Sequence, residues 1–167
     1  MNSDIMYDNL MNKMYWREMD NPKVYYDDTY RGSPVFTARL SFLRLAQQLI
    51  AEGKTDKARH VVNKAMAVMP DDTIPYDQIS AGFVGALFDV GENRKALDSA
   101  QAMAIRSDEN LSWIKEKNGQ RNRDVNTDLF ILQSIFRECR RAKQDQAADR
   151  FEAIFKKHLL AFNMYAG

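Results

Sequence analysis

Apolar residues recur along this chain mostly at intervals of three and four, the period of a helix buried on one side, and no stretch shows the alternation of a strand. The period is strongest from Ala38 onward. Leu40, Phe42, Leu43, Leu45, Ala46, Leu49 and Ile50 make one amphipathic stripe. Gly53 falls just past it, where a helix end favours a left-handed backbone, and Thr55 offers an oxygen to the free amides of the next helix. That helix carries Ala58, Val61, Val62, Ala65, Met66 and Met69 and stops at Pro70. A third, with Ile79, Phe83, Ala86, Leu87 and Val90, ends at Gly91. A fourth, capped by Asn93, buries Ala96, Leu97, Ala100, Met103 and Ala104.

Residues 107–124 break the rhythm. They are polar except for Leu111, Trp113 and Ile114, and they read as a connecting loop. A last pair of helices follows, one with Leu129, Leu132, Ile135, Phe136 and Cys139, the other with Ala147, Phe151, Ile154, Phe155, Leu159 and Phe162. At the other end, Ile5, Met6, Leu10 and Met14, with Tyr7 at the edge, predict a short helix over 4–16. Residues 19–34, rich in proline, aspartate and tyrosine, predict an ordered but irregular segment.

One turn is spelled twice: AEGKTDKA at 51–58 and DVGENRKA at 89–96, with a weaker echo in RAKQDQA at 141–147, where Ala142 stands for the glycine. Repeated helix–turn–helix units with small residues at fixed places are the tetratricopeptide signature. Phe42, Leu45, Ala46 and Leu49 match its first helix, and Ala58, Val62, Ala65 and Pro70 its second. Small side chains there let two antiparallel helices approach closely. Phe83, Leu87, Ala96 and Ala100 fit in the second unit, where Val84 replaces the small residue and no proline closes the pair. The interval from Gly53 to Gly91 is 38 residues against about 34 for the usual unit, and the excess is placed in DDTIPYD, 71–77. The expected fold is all-α, one domain of antiparallel helical hairpins stacked as a tetratricopeptide-like superhelix. It comprises an N-terminal helix and irregular segment (1–37), hairpins over 38–70 and 75–106, a connecting loop over 107–124 and a hairpin over 125–164.

Composition adds bounds. The 167 residues, 45% hydrophobic and 28% charged, suffice for one sizeable core, and a net charge of +1 gives no whole-molecule field toward nucleic acid. Cys139 is the single cysteine, so no intrachain disulfide forms. No apolar run approaches the ~20 residues of a membrane helix, and the first residues lack the basic start and apolar centre of a signal peptide. The chain reads as soluble, and as fit to be part of something longer.

A closer similarity rests on five runs: MYDNLMNKMYW, MDNPKVYYDD, FLRLAQQLIAEGKTDKA, VMPDDTIPYD and GENRKA. Together they resemble the C-terminal soluble region of a family of large multi-spanning bacterial membrane proteins of unknown function. These are themselves similar to lipid-linked-sugar glycosyltransferases of the protein O-mannosyltransferase type. The resemblance covers roughly residues 1–116 and departs at Arg17-Glu18, where Gly-rich sequence would follow the aromatic. It implies a non-catalytic tail tethered at the bacterial cytoplasmic membrane on its periplasmic side. Any catalysis would then belong to an absent membrane part, so no catalytic residue carries over to this chain.

Candidate chemistry is sparse. Tyr25, Tyr26, Asp27, Asp28 and Tyr30 set aromatics beside carboxylates, which suits sugar stacking and hydroxyl hydrogen bonds. The same cluster reads more readily as a segment packing its tyrosines on the first hairpin while its aspartates cap a helix, and it lacks the alternating ligands of a calcium loop. Lys115, Lys117, Arg121 and Arg123, and again Arg137, Arg140, Arg141 and Lys143, are interrupted by Glu116, Asp124, Glu138 and Asp145. They suit solvated surfaces, or lipid headgroups if the chain is a membrane tail. Trp113 with Ile114 either closes an end of the helical stack or docks a partner. Cys139 on its apolar stripe reads as a buried, inert thiol, and His60 and His158 share no zinc spacing. No phosphate loop or nucleophile elbow occurs, so no catalytic, cofactor or metal residue is assigned. The leading expectation is a protein-interaction or scaffolding module holding a protein or peptide, with no nucleic acid partner. A free-standing tetratricopeptide adaptor and a sugar-binding domain are the alternatives.

Overall fold

The computed structural model describes residues 2–25, 31–117 and 123–163. The chain falls into two compact units, Met1–Glu92 and Asn93–Gly167. Every regular element among the described residues is helical, so the protein is all-α. In the first unit these are α1 (Ser3–Asp8), α2 (Phe36–Ala51), α3 (Thr55–Val68) and α4 (Gln78–Asp89); in the second, α5 (Asn93–Glu116), α6 (Arg123–Arg141) and α7 (Asp145–Ala161). Two short π-helical turns, Asn9–Lys13 and Arg31–Val35, precede the Trp16 segment and α2.

In the first unit α2 packs against both α3 and α4. Phe42, Leu45, Ala46 and Leu49 on α2 and Ala58, Val61 and Val62 on α3 are wholly buried. At Gly82 on α4 an added Cβ would lie 2.6 Å from Leu43 Cδ2, so the missing side chain is what lets α4 sit this close to α2. The long step between α3 and α4 is ordered by Arg39, a buried arginine on α2. Its guanidinium donates to the carbonyls of Ile74 (2.6 Å), Pro75 (2.9 Å) and Met69 (3.4 Å) and pairs with Asp77 Oδ2 at 3.2 Å. Asp77 then caps α4 by accepting from the Ile79 and Ser80 amides at 3.0 and 2.9 Å. Segment 71–77 is thus a bound loop wrapped around one cation.

The N-terminal helix differs from expectation. It stops at Lys13, and of its expected stripe only Leu10 is buried, while Ile5 and Met14 are 60% and 52% exposed. For Met14 the cause is the π turn. The Met14 amide reaches back five residues to the Asn9 carbonyl at 2.9 Å, and the wider turn rotates the next residues away from the phase set by Ile5. Trp16 is fixed instead by donating from Nε1 to the Leu10 carbonyl (3.0 Å) and by its ring, 4.9 Å from that of Phe42.

In the second unit α6 and α7 pack as a hairpin and α5 packs on both. The loop expected from 107 is absent as far as Glu116, because α5 runs 24 residues. Its buried line passes through Ala100, Met103, Ser107, Leu111 and Ile114. Ser107 is the polar member that hides this stripe in the sequence, and its hydroxyl donates to Asp128 Oδ1 of α6 at 2.8 Å. On α7 a polar residue again holds a core place. His158 is buried beside Ala148 and Phe151, whereas Ile154, Phe155 and Leu159 of the expected stripe are only half-buried.

The recurring turn is one backbone motif in three places. Gly53, Gly91 and Lys143 all take the left-handed conformation, with φ of 72°, 82° and 58°. Each donates its amide three residues back, to Ile50, Phe88 and Arg140. The next amide in each case reaches five back, to Leu49, Leu87 and Cys139, at 2.8–2.9 Å. These paired bonds satisfy the carbonyls that a helix end leaves free. Five residues on, Ala58, Ala96 and Ala148 are each wholly buried. The third copy is therefore complete, with Lys143 and not Ala142 in the glycine place. Thr55 and Asn93 are the first helical residues of α3 and α5; Lys54 holds the cap position of α3 and makes no side-chain capping bond.

Candidate functional site

Of the tyrosine-aspartate cluster, Tyr25 is 79% exposed, and Tyr26, Asp27, Asp28 and Tyr30 lie outside the described residues. Trp113 and Ile114 part company: Ile114 is buried in α5 and Trp113 is 60% exposed. The helix explains the split, since consecutive residues point about 100° apart. Ile105, Phe130 and Leu160 are the other large apolar side chains exposed among the described residues of this unit.

Much of the basic charge is engaged within the second unit. Arg140 pairs with Asp149 (2.7 Å) and Glu152 (2.9 Å), Arg141 with Glu138 (2.8 Å), and Lys115 lies 5.7 Å from the centre of the Phe162 ring. Arg121 lies outside the described residues. Cys139 is buried, and burial first, with Glu138 adding to it, pushes its thiol up to about 11. A thiol so held stays protonated at neutral pH and is a poor nucleophile. His60 is exposed on α3, in the other unit from buried His158, and no group of three acidic, His or Cys side chains among the described residues is placed to hold a metal.

Three polar contacts, one buried, one partly buried and one exposed, tie α5 to its neighbours through two adjacent residues, and none has a clear signal in the sequence. Ser107 reaches Asp128 on α6. Asp108 Oδ1 receives Lys157 Nζ at 2.7 Å and lies 2.6 Å from Nε2 of His158 on α7. Burial raises the Asp128 carboxyl above the usual range, against the hydrogen bonds of Ser107 and Asn110. For Asp108 burial is likewise the largest influence, but the contacts of Lys157 and His158 outweigh it and hold the carboxyl low. The signal for these residues was weak, a Ser-Asp pair inside a polar run and a histidine at helical spacing from Phe151.

A cleft of about 450 Å³ opens on the first unit. Leu10, Met14, Tyr15, Trp16 and Met19 line it together with Ser33, Pro34, Thr37, Ala38 and Ser41. None of the described side chains that line it is charged. Elsewhere in this unit Glu52 accepts from Lys54, Ser3 and Gln48, which hold its carboxyl down at about 2, and Lys54 and Lys57 both reach Asp4.

No described helix is long and apolar enough to cross a membrane. Compared with protein-family models, curated proteins and solved structures, the chain matches none of them. Its class therefore rests on its own geometry: an all-α protein of two helical units.

Proposed function

We propose that this chain is a non-catalytic protein-interaction module of tetratricopeptide-like hairpins, the soluble C-terminal tail of a bacterial membrane protein resembling glycosyltransferases. The observation that carries this reading is the threefold turn, with its left-handed residue, its two carbonyl-capping bonds and a buried alanine five residues on. Stacks of such units present side chains to a peptide or a neighbouring domain. Trp113, exposed with Phe130 and Ile105 on the second unit, supplies the aromatic and aliphatic anchors that dominate binding energy at such surfaces. In this reading the partner is a protein or peptide, including the membrane part of the parent chain, held at the periplasmic side of the cytoplasmic membrane.

The test is a fractionation blot of the native bacterium with an antibody to this chain. A membrane band far larger than 19.3 kDa supports the tail. A soluble band near that mass replaces it with a free-standing adaptor. In the tail case, deletion of the chain should leave the membrane part folded but poorly coupled to its acceptor; equal activity with and without it defeats the proposal. The exposure of Tyr25 favours one second reading, a sugar-binding domain. Chemical-shift changes at Tyr25, Tyr26 and Tyr30 across a glycan panel would support it, and their absence would count against it.

A further inference from the structure

We propose that α1 is an ionic latch, docked on the first of the recurring turns and able to open at its junction with the π turn while α2, α3 and α4 stay folded. This goes beyond the interaction role and does not depend on it. The recurring turn is itself a docking place. At the second turn the occupant is α3: Arg59 Nε donates to the Val90 carbonyl at 3.0 Å, and Asn63 Nδ2 reaches Glu92 Oε1 at 3.3 Å. Aligning AEGKTDKA with DVGENRKA puts Glu52 in the place of Val90 and Lys54 in that of Glu92. At the first turn those two positions are met by α1. Ser3 Oγ donates to Glu52 Oε2 at 2.6 Å, and Lys54 Nζ reaches Asp4 Oδ2 at 3.2 Å. Lys57 Nζ reaches Asp4 Oδ1 at 2.9 Å and lies 5.3 Å from the centre of the Tyr7 ring.

The two occupants are anchored differently. Beneath its polar contacts α3 buries Ala58, Val61, Val62, Ala65 and Val68. α1 has six residues and buries only Ser3, with Ile5 60% exposed. A helix this short does not persist in water by itself, so α1 depends on its clasp. In that clasp Asp4 is exposed and Lys54 and Lys57 are partly exposed, and salt screens such pairs. Beyond the junction the anchors change character. Leu10 and Met19 are buried, the Trp16 ring lies on Phe42, and the Met19 carbonyl accepts from Thr73 Oγ1 at 2.9 Å. Asp8 belongs to this fixed side, tied to Lys13 at 2.6 Å and Asn12 at 2.9 Å. The change from ionic to apolar anchoring thus falls where α1 meets the π turn, and that junction is the hinge.

The test is amide hydrogen exchange on the full chain. The Met6 and Asn9 amides, bonded to the Asn2 and Ile5 carbonyls, report on α1. They should exchange at least tenfold faster than the amides of α2. Raising salt from about 0.1 to about 1 M, where the screening length falls from about 10 to about 3 Å, should speed them at least fivefold further and leave α2 within twofold. Lys54→Gln with Lys57→Gln should exchange fast already at low salt and lose most of the salt response. Trp113→Phe leaves Trp16 as the single tryptophan, and its emission should not shift with salt. Exchange of α1 in step with α2, or no response to salt in the unaltered chain, would overturn the proposal. So would a double variant that exchanges as the unaltered chain does, or a Trp16 shift that tracks the opening.

Discussion

The left-handed turn residues permit a reciprocal experiment. Gly53 and Gly91 sit at φ of 72° and 82°, and an added Cβ at either meets no atom within 4 Å. Replacing either by alanine thus costs only the backbone preference, on the order of 1–2 kcal/mol for an L-residue in this region. Lys143 already bears that cost at φ 58°, and its exposed side chain makes no core contact. Lys143→Gly should recover about 1 kcal/mol, less the extra freedom glycine gives the unfolded chain. For one cooperative transition in a chain of this length, each kcal/mol moves Tm by about 2–4 °C. Melts followed by circular dichroism should therefore show Gly53→Ala and Gly91→Ala falling by that amount and Lys143→Gly rising. Ala142→Gly is the control. The sequence echo points to Ala142, but its amide donates to the Glu138 carbonyl at 3.0 Å as a helical residue does. Glycine there should lower stability by about 0.5–1 kcal/mol. A stabilised Ala142→Gly together with a destabilised Lys143→Gly would refute the assignment of the third turn.

Arg39→Met should destabilise the first unit by about 3 kcal/mol in urea melts, because it strips three carbonyls and Asp77 of a buried charged partner. Asp128 has a folded-state carboxyl raised above the unfolded one. Between those values the folded chain binds more protons, so its contribution to stability falls as pH rises through the raised range, and Asp128→Asn should flatten that slope in melts at pH 4 to 8. Glu52 has the opposite sign. Its contribution is full above pH 4.5 and is lost as pH falls toward about 2, so Glu52→Gln should remove part of the acid-side loss. Cys139 should react with a thiol reagent only at the rate at which the second unit opens, and become fully reactive in denaturant.

The helices from Leu40 to Val90 were legible because their buried faces are almost wholly apolar and their ends carry glycine or proline. What escaped were polar residues doing the work of core residues. Ser107 turned a continuous helix into an apparent loop, since the period test scores a buried serine as exposed. His158 was passed over on α7, where the pattern favoured the larger apolar neighbours that the structure leaves half-buried. Arg39 was lost among the hydrophobic residues of α2, and nothing local in DDTIPYD announces that its carbonyls converge on a distant guanidinium. At the N-terminus a π turn changed the helical phase, which a fixed 3.6-residue period cannot follow. The cleft was illegible because two segments some twenty residues apart in the chain, 10–19 and 33–41, come together to line it.

These buried polar groups share a physical role. A purely apolar interface between two helices tolerates sliding by one turn, because leucine on alanine is nearly as good one step along. A hydrogen bond from Ser107 to Asp128, or a carboxylate shared by Lys157 and His158, is satisfied in one register only, and slipping it leaves a buried polar group without a partner at about 1–3 kcal/mol. The consecutive pair Ser107-Asp108 thus fixes α5 against α6 and α7 together, while Arg39 does the same for α2 and the loop leading into α4. If register is their main service, Ser107→Ala with Asp128→Leu should keep or raise stability while broadening the amide spectrum of α5 and α6. If they serve stability itself, the double variant should melt lower with its spectrum still sharp.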